Sequence, residues 1–327
     1  MTEKTDRRCF LARGVLGAAG AVAASNMAAC SANAEDDKAI SPTAIEYKGM
    51  PCGMLGKVKV SRMLFGGNLL AGGMHCRDLK YVNQLFRAYA DQDKLIETLK
   101  IAEDNGINTV FESGAELVAL YNKRHNGNMQ VIPHIDPKSA EKDLETEIKA
   151  KLDMRAVALY CWGATSDRLV HDGQVDQLKR AVEIAKKYDV PVGVGGHSLS
   201  VPKACEKARI PCDFYVKTLH TDDYPSATPK HLQKDYLWFG GEGYYDNMWC
   251  VDADETIEFF KGVDKPWVAF KVLAAGAIPP RKAFAHAFKN GADFIAVGMF
   301  DWQVQEDCDL VKRLVRREVS RERAWRA

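Results

Sequence analysis

Three things are missing from this chain. Its nine cysteines include no pair at CxxC spacing, which removes the common zinc ribbons and fingers. Charge of neither sign dominates, with 45 Lys and Arg against 44 Asp and Glu and a net charge of +1, so the electrostatic footprint of a nucleic-acid binder is absent. The one long apolar stretch, within residues 9–30, is broken by Arg13 and is too rich in Ala and Gly to read as a membrane span. What is present is the composition of a folded protein: 327 residues, 46% hydrophobic and 27% charged, enough for one large domain with a sizeable core. Cys205 and Cys212 flank an expected helix end, but packing as free thiols is favoured over pairing.

The N-terminus has its own pattern. A polar start, the pair Arg7-Arg8 and the run that follows read as a twin-arginine export signal over residues 1–30, and the end of it, Met27-Ala28-Ala29-Cys30, resembles a lipobox. The expectation is an exported protein that meets the twin-arginine machinery, either periplasmic or membrane-anchored through a lipid on Cys30; cleavage near Ala32-Asn33-Ala34 is the alternative. Without residues 1–29 the balance is 41 basic against 42 acidic residues, a net charge of −1. Residues 31–50 are polar and weakly patterned and read as a tether.

From Pro51 onward, eight short β-branched runs ("SRMLFGGN", "NTVFES", "MQVIPHI", "AVALYCWG", "PVGVGGHS", "DFYVKTLH", "WVAFKVLAAG", "DFIAVGMF") alternate with stretches of helical periodicity such as "DQDKLIETLKIAEDNG" and "VDQLKRAVEIAKKY". This alternation predicts an α/β fold, a (β/α)8 TIM barrel in a single domain over residues 51–327, ahead of an open doubly wound sheet. Catalytic groups then belong at the C-terminal strand ends, and a period of two selects those pointing inward. Phased this way, Gly193, Gly195 and His197 face the lumen, as do Tyr215 with Lys217 and Trp267 with Lys271; Asn68, Glu112, His134, Tyr160, Trp162 and Phe300 join them. One carboxylate facing two lysines and two histidines suits a substrate with a carboxylate, an enolate or a polarised carbonyl. Each residue alone has a bland reading as well: a hydrogen-bonded structural histidine, or a carboxylate that pairs a lysine.

Two families are resembled by different halves of the chain. "MLGKVKVSRMLFGGNLL" with "DKLIETLKIAEDNGINTVFES" resembles the opening of the aldo/keto reductases, from about Met54 to Ser113. The catalytic tetrad of that family is not retained. Its Asp position falls on Phe111, Glu116 or Leu117 stands where its tyrosine should follow, its strand 3 lysine falls at or near His134, and its strand 4 histidine falls on Cys161 or Trp162. NADP is the cofactor this resemblance implies, although "GMFDWQVQEDCDL" lacks the expected arginine for a 2′-phosphate. "YVKTLH" and "FKVLAAGAIPP" resemble strands 6 and 7 of Schiff-base aldolases of the deoxyribose-phosphate aldolase type, which implies Lys217 as nucleophile, Lys271 as the neighbour that lowers its pKa, and His197, His220 or Glu112 as proton shuttle. No cofactor is needed on that reading. Bulky Met299 and Phe300 and acidic Asp301 after the last strand disfavour a phosphorylated substrate.

Two long segments, 68–90 and 220–251, are expected on the active face. The second holds Tyr224, Trp238 and Trp249 among seven aromatic residues and reads as a lid that stacks on sugar rings, with a dimer interface or a small core of its own as the plainer alternative. A divalent metal on His134, His197, His220 and Glu112, as in a sugar isomerase or epimerase, ranks lower because two lumen lysines would oppose it. The sequence therefore points to a carbonyl-bearing carbohydrate or hydroxy acid handled by lysine and acid–base chemistry, as a lyase or aldolase would. An NADP-dependent reductase and a non-catalytic sugar-binding lipoprotein are the alternatives.

Overall fold

The first described strands lie inside the segment expected to be a tether. The computed structural model describes residues 40–76, 79–233, 249–317 and 320–327. Strand β1 (Ile45–Tyr47) pairs antiparallel with β2 (Met50–Leu55), and β2 with β3 (Val58–Ser61). Residues 45–50 are thus structured, because Lys48 and Gly49 both take positive φ, 44° and 76°, the geometry of the two-residue turn that joins twisted strands. Lys-Gly is a weak signal for that turn, and hydrophobic patterning alone does not reveal it.

Eight parallel strands follow and close on themselves: β4 (Met63–Gly66), β5 (Thr109–Glu112), β6 (Gln130–Ile135), β7 (Leu159–Cys161), β8 (Val192–Gly196), β9 (Phe214–Thr218), β10 (Trp267–Phe270) and β11 (Phe294–Val297). Closure is made by β11 on β4, with Ile295 opposite Met63. Helices α1 (Lys80–Tyr89), α2 (Gln92–Asp104), α3 (Ala115–His125), α4 (Glu141–Asp153), α5 (Gly163–His171), α6 (Val175–Ala185), α7 (Ser200–Lys207), α8 (Ala253–Lys261), α9 (Pro280–Lys289) and α10 (Asp301–Arg316) separate or follow them. The expected TIM barrel is the observed fold, and all eight barrel strands fall where the sequence pattern places them.

Alternation divides the buried side chains into two layers. Leu64, Phe111, Ile132, Tyr160, Phe214, Val216, Val268 and Phe294 fill the lumen with Leu55 and Val60 of the preceding sheet. Met63, Val110, Leu159, Val192, Tyr215 and Trp267 face the helices. Gly193 leaves the space that the Phe214 ring occupies. Each fully buried aliphatic or aromatic side chain contributes about 1.5–3 kcal/mol.

Strands β9 and β10 have the opposite phase from the expected one. Tyr215 points outward and donates to Glu206 of α7 at 2.6 Å, and Trp267 points outward to stack on Phe260 of α8 at 4.1 Å and 9°. Lys217 shares the outward phase. Both faces of these strands are buried, so hydrophobic alternation carries no signal, and the charge of the lysines is a misleading guide to the face.

At the N-terminal end of the barrel, Asp293 is fully buried and receives Arg323 at 2.7 Å, together with the backbone N–H groups of Trp267 and Arg326. Buried Arg62 donates to the Asp293 carbonyl at 3.1 Å and lies 4.3 Å over the Trp325 ring. Among the described residues no helix is long and apolar enough to cross a membrane.

Candidate active site

A cavity of about 390 Å³ opens at the C-terminal ends of the barrel strands. Most of its polar lining comes from the residues at those ends: Asn68 after β4, Glu112 of β5, Tyr160 of β7, Trp162 directly after it, His197 after β8 and Lys271 after β10, with His75 and Gln303 added from a loop and from α10. Trp249 and Phe300 line it too. Eight of the thirteen residues expected at the site are therefore brought together around one space.

Glu112 and Lys271 reach the cavity by breaking the strand pattern. Their predecessors Phe111 and Phe270 line the cavity already, so continued alternation would turn both charged side chains toward the helices. Instead Glu112 takes φ 80° and Lys271 φ 56°, the left-handed region, at a cost of about 1–3 kcal/mol each. Strain of this size is retained where the surrounding structure fixes it, as at binding and catalytic positions. Ala274 and Ala275, also left-handed, continue the turn after Lys271.

Burial pushes the Glu112 carboxyl up from its ordinary range, while the Lys271 charge and a hydrogen bond from Trp162 pull it partly back. Lys271 Nζ is 2.5 Å from His75 Nε2 and lies 4.1 Å from the centre of the Trp249 ring. The ring face and the histidine nitrogen together hold the lysine head in place. His75 comes from the loop after β4 and itself meets the Trp249 ring at 5.3 Å, so residues from two loops close around the lysine head.

His197 is held by a residue that sequence reasoning misses. Asp167, buried on α5, accepts from His197 N at 2.9 Å, from Ser198 N at 3.0 Å and from His197 Nδ1 at 2.7 Å. Those bonds fix the tautomer with the proton on Nδ1 and turn Nε2 away from the aspartate. The ring packs against Trp249 and Phe270, each at 5.1 Å, and burial lowers its pKa although Asp167 opposes the shift. Asp167 gives no sequence signal because it lies in a helix, where an acidic residue reads as a solvated face. His75 gives none because its loop has no periodicity.

Four expected residues stand elsewhere. Lys217 is buried behind β9 and does not line the cavity; its Nζ donates to Thr218 O at 3.0 Å and Thr218 Oγ1 at 2.8 Å, with Cys250 Sγ at 3.9 Å. Among the described residues it forms no ion pair. Thr218 Oγ1 in turn lies 3.0 Å from the His197 carbonyl and 2.9 Å from that of Trp249, so the lysine braces the wall of the site from outside. His220 has both ring nitrogens engaged, Nδ1 at 2.9 Å from the Thr221 carbonyl and Nε2 accepting from Trp249 N and Cys250 N. It is a neutral clasp, its pKa lowered to about 4 first by burial, and it pins Trp249 in place. His134 stacks on Trp162 at 5.2 Å and contacts the Glu112 backbone, with burial lowering its pKa to about 4. Tyr224 packs in the core against His220. Trp238 lies outside the described residues.

These positions correct one expectation and bear on one lower-ranked alternative. Lys217 lies in β9 and Lys271 directly after β10, and only Lys271 lines the cavity, so the expected pair of lysines inside it is not formed. The proposed metal ligands do not converge either, and among the described residues no group of three His, Cys, Asp or Glu side chains is placed to hold an ion.

The residues after β11 bear on whether a dinucleotide fits. The N-terminal turn of α10, a common phosphate position in such barrels, carries Asp301, which already accepts from Tyr89 and Lys94. Phe300, at the N-cap, is packed against Phe86, Tyr89 and Trp302. An acidic group and a filled aromatic corner do not suit a phosphate at this helix N-terminus.

No family model matches the chain, and no curated protein does. Among solved structures, one titled "Putative aldo-keto reductase from Pseudomona aeruginosa" superposes with a TM-score of 0.53 at 14% identity, over 84% of this chain and 97% of its own. A second structure, also titled as a putative aldo-keto reductase from that organism, gives 0.51 at 13% identity, over 81% and 95%. At these identities the likeness is one of fold, and the chain shares with both structures the (β/α)8 barrel architecture.

Proposed function

We propose that the protein is an acid–base enzyme acting on a small, hydroxyl-rich carbonyl compound, a carbohydrate derivative or hydroxy acid. The observation that carries this reading is the pair Glu112 and Lys271, both turned into one cavity by left-handed backbone that costs stability. Glu112, a stronger base for its raised pKa, takes the proton on the carbon beside the carbonyl. The electron pair of the broken C–H bond moves toward the carbonyl oxygen, where the Lys271 ammonium stabilises the enolate. The proton then returns, as in an isomerase or epimerase. In a lyase a β-substituent departs instead, with His197 Nε2 as the group that carries a proton to or from it. Asn68 and the Tyr160 hydroxyl, both lining the cavity, supply hydrogen bonds to substrate oxygens.

Schiff-base chemistry on Lys217 has no support from its position. The reductase alternative rests on the fold likeness and on Tyr160 sharing the cavity with Lys271, and the residues after β11 weigh against its cofactor. Export by the twin-arginine route, to the periplasm or to a lipid anchor at Cys30, belongs to the same proposal and rests on Arg7-Arg8 and the run after it. Replacing both arginines by lysine is expected to hold the protein in the cytoplasm; unchanged fractionation would remove that part.

The test is turnover of a panel of aldonolactones, uronates and hydroxy acids, followed by NMR. Lys271→Met and Glu112→Gln are each expected to abolish conversion, and Lys217→Met to leave a measurable rate. Wild-type turnover in Lys271→Met, or a borohydride-trapped adduct on Lys217, would overturn the proposal.

A further inference from the structure

Outside the catalytic cavity, the most exposed large apolar side chain among the described residues is Trp302, 70% accessible, in the first turn of α10. It is held flat. Its ring stacks on Phe300 with 5.6 Å between centroids and 5° between planes, and Phe300 is buttressed edge-on by Phe86 and Tyr89 of α1 at 5.8 and 5.7 Å. Phe300 lines the cavity, so the stack leads from the catalytic space to the rim. Beside it stands Gln303, whose Oε1 accepts from Phe300 N at 3.0 Å. That bond fixes the amide, and its NH2 group, also at the cavity wall, has no hydrogen-bond partner among the described residues.

A rigid aromatic face with a donor amide at its edge is the chemistry that recognises a pyranose ring, which presents C–H groups to the aromatic face and hydroxyls around its perimeter. A protein partner would need an apolar area far larger than one indole at a cavity mouth. We infer that Phe300, Trp302 and Gln303 form an outer subsite for a second sugar ring, so that the substrate is a glycoside whose carbonyl-bearing residue enters the cavity while its neighbour lies on Trp302. This rests on the proposed action on a carbohydrate carbonyl and adds its size and class.

The experiment is calorimetric titration of the full-length protein with gluconolactone, which has one ring, and with cellobionolactone and maltobionolactone, which have two. A two-ring probe is expected to bind roughly twofold to tenfold more tightly than gluconolactone, the range set by one aromatic stacking contact. Trp302→Ala should remove that advantage while leaving gluconolactone affinity unchanged, and Trp302→Phe should keep most of it. Since the indole is exposed, neither substitution threatens folding, which a urea melt confirms. Equal binding of one-ring and two-ring probes, or a two-ring advantage that survives Trp302→Ala, would overturn the subsite and leave the carbonyl-sugar reading intact. Binding of none of the three probes would overturn both.

Discussion

The replacement Asp167→Asn separates the positioning of His197 from its chemistry. The carboxylate accepts two backbone N–H groups and the His197 Nδ1 proton while 3% exposed, and each hydrogen bond to a buried charged acceptor contributes about 1.5–3 kcal/mol. Asparagine keeps the shape but offers one acceptor oxygen, and its NH2 group faces donors. With its oxygen in the Oδ1 position it still accepts from His197 N and Ser198 N, but through weaker neutral bonds, a cost of about 1–3 kcal/mol in stability, while the NH2 group faces His197 Nδ1. The larger effect falls on the histidine. With no acceptor held at Nδ1, the proton moves to Nε2, and the ring presents a donor to the cavity where the mechanism needs it to exchange a proton. A loss of about 10²–10⁴ in kcat is expected, the range for removing a general acid–base group, with KM changing little. Rates are to be measured from pH 5 to 9 beside a urea melt. A variant that loses stability yet keeps wild-type kcat across that range would show that His197 has no part in proton transfer.

Two other replacements test the framework. Asp307, buried on α10 with an unpartnered Oδ2, has its pKa raised by burial from 3.8 to about 6. The folded state thus binds this proton more tightly than the unfolded chain, so the contribution to stability is complete below about pH 3.8 and is lost as pH rises through 6. Asp307→Asn is expected to stabilise by about 1–2 kcal/mol at pH 8 and by almost nothing at pH 4, and equal effects at both would reject burial of the carboxyl as the cause. Asp293→Ala leaves Arg323 buried without its carboxylate partner and should cost about 3–5 kcal/mol, read as a lower denaturation midpoint; a loss under 1 kcal/mol would mean that water or the nearby carbonyls satisfy the arginine.

The barrel is legible in the sequence because eight β-branched runs alternate with helical units, a pattern that depends on periodicity and not on any single residue. The direction of individual side chains is less so. In β9 both faces are buried, and the charge of Lys217 argues for the lumen, whereas the structure accommodates that charge among Thr218 and a carbonyl behind the strand. Lys271 reaches the cavity for a reason that strand phasing does not contain: Trp267 and Ala269 face outward, and only the left-handed turn at φ 56° brings the lysine back. Glu112 reaches the site by the same device. Such turns are set by tertiary packing and leave no mark in residue type, since neither position is a glycine. His75 and Asp167 act by approach from other elements, one from an aperiodic loop and one from a helix, so neither the spacing nor the composition around them points to the site.

The most direct test of the central claim is proton exchange at carbon. Incubated in D2O with a carbonyl-bearing sugar that it binds, the protein should wash deuterium into the position beside the carbonyl, seen as loss of that proton signal by NMR. Glu112→Gln should stop the exchange, and Lys271→Met should slow it by at least about 10²-fold, the loss expected when a group stabilising the enolate is removed. Conversion of the sugar with no deuterium at that carbon, or exchange unchanged in Glu112→Gln, would contradict the account.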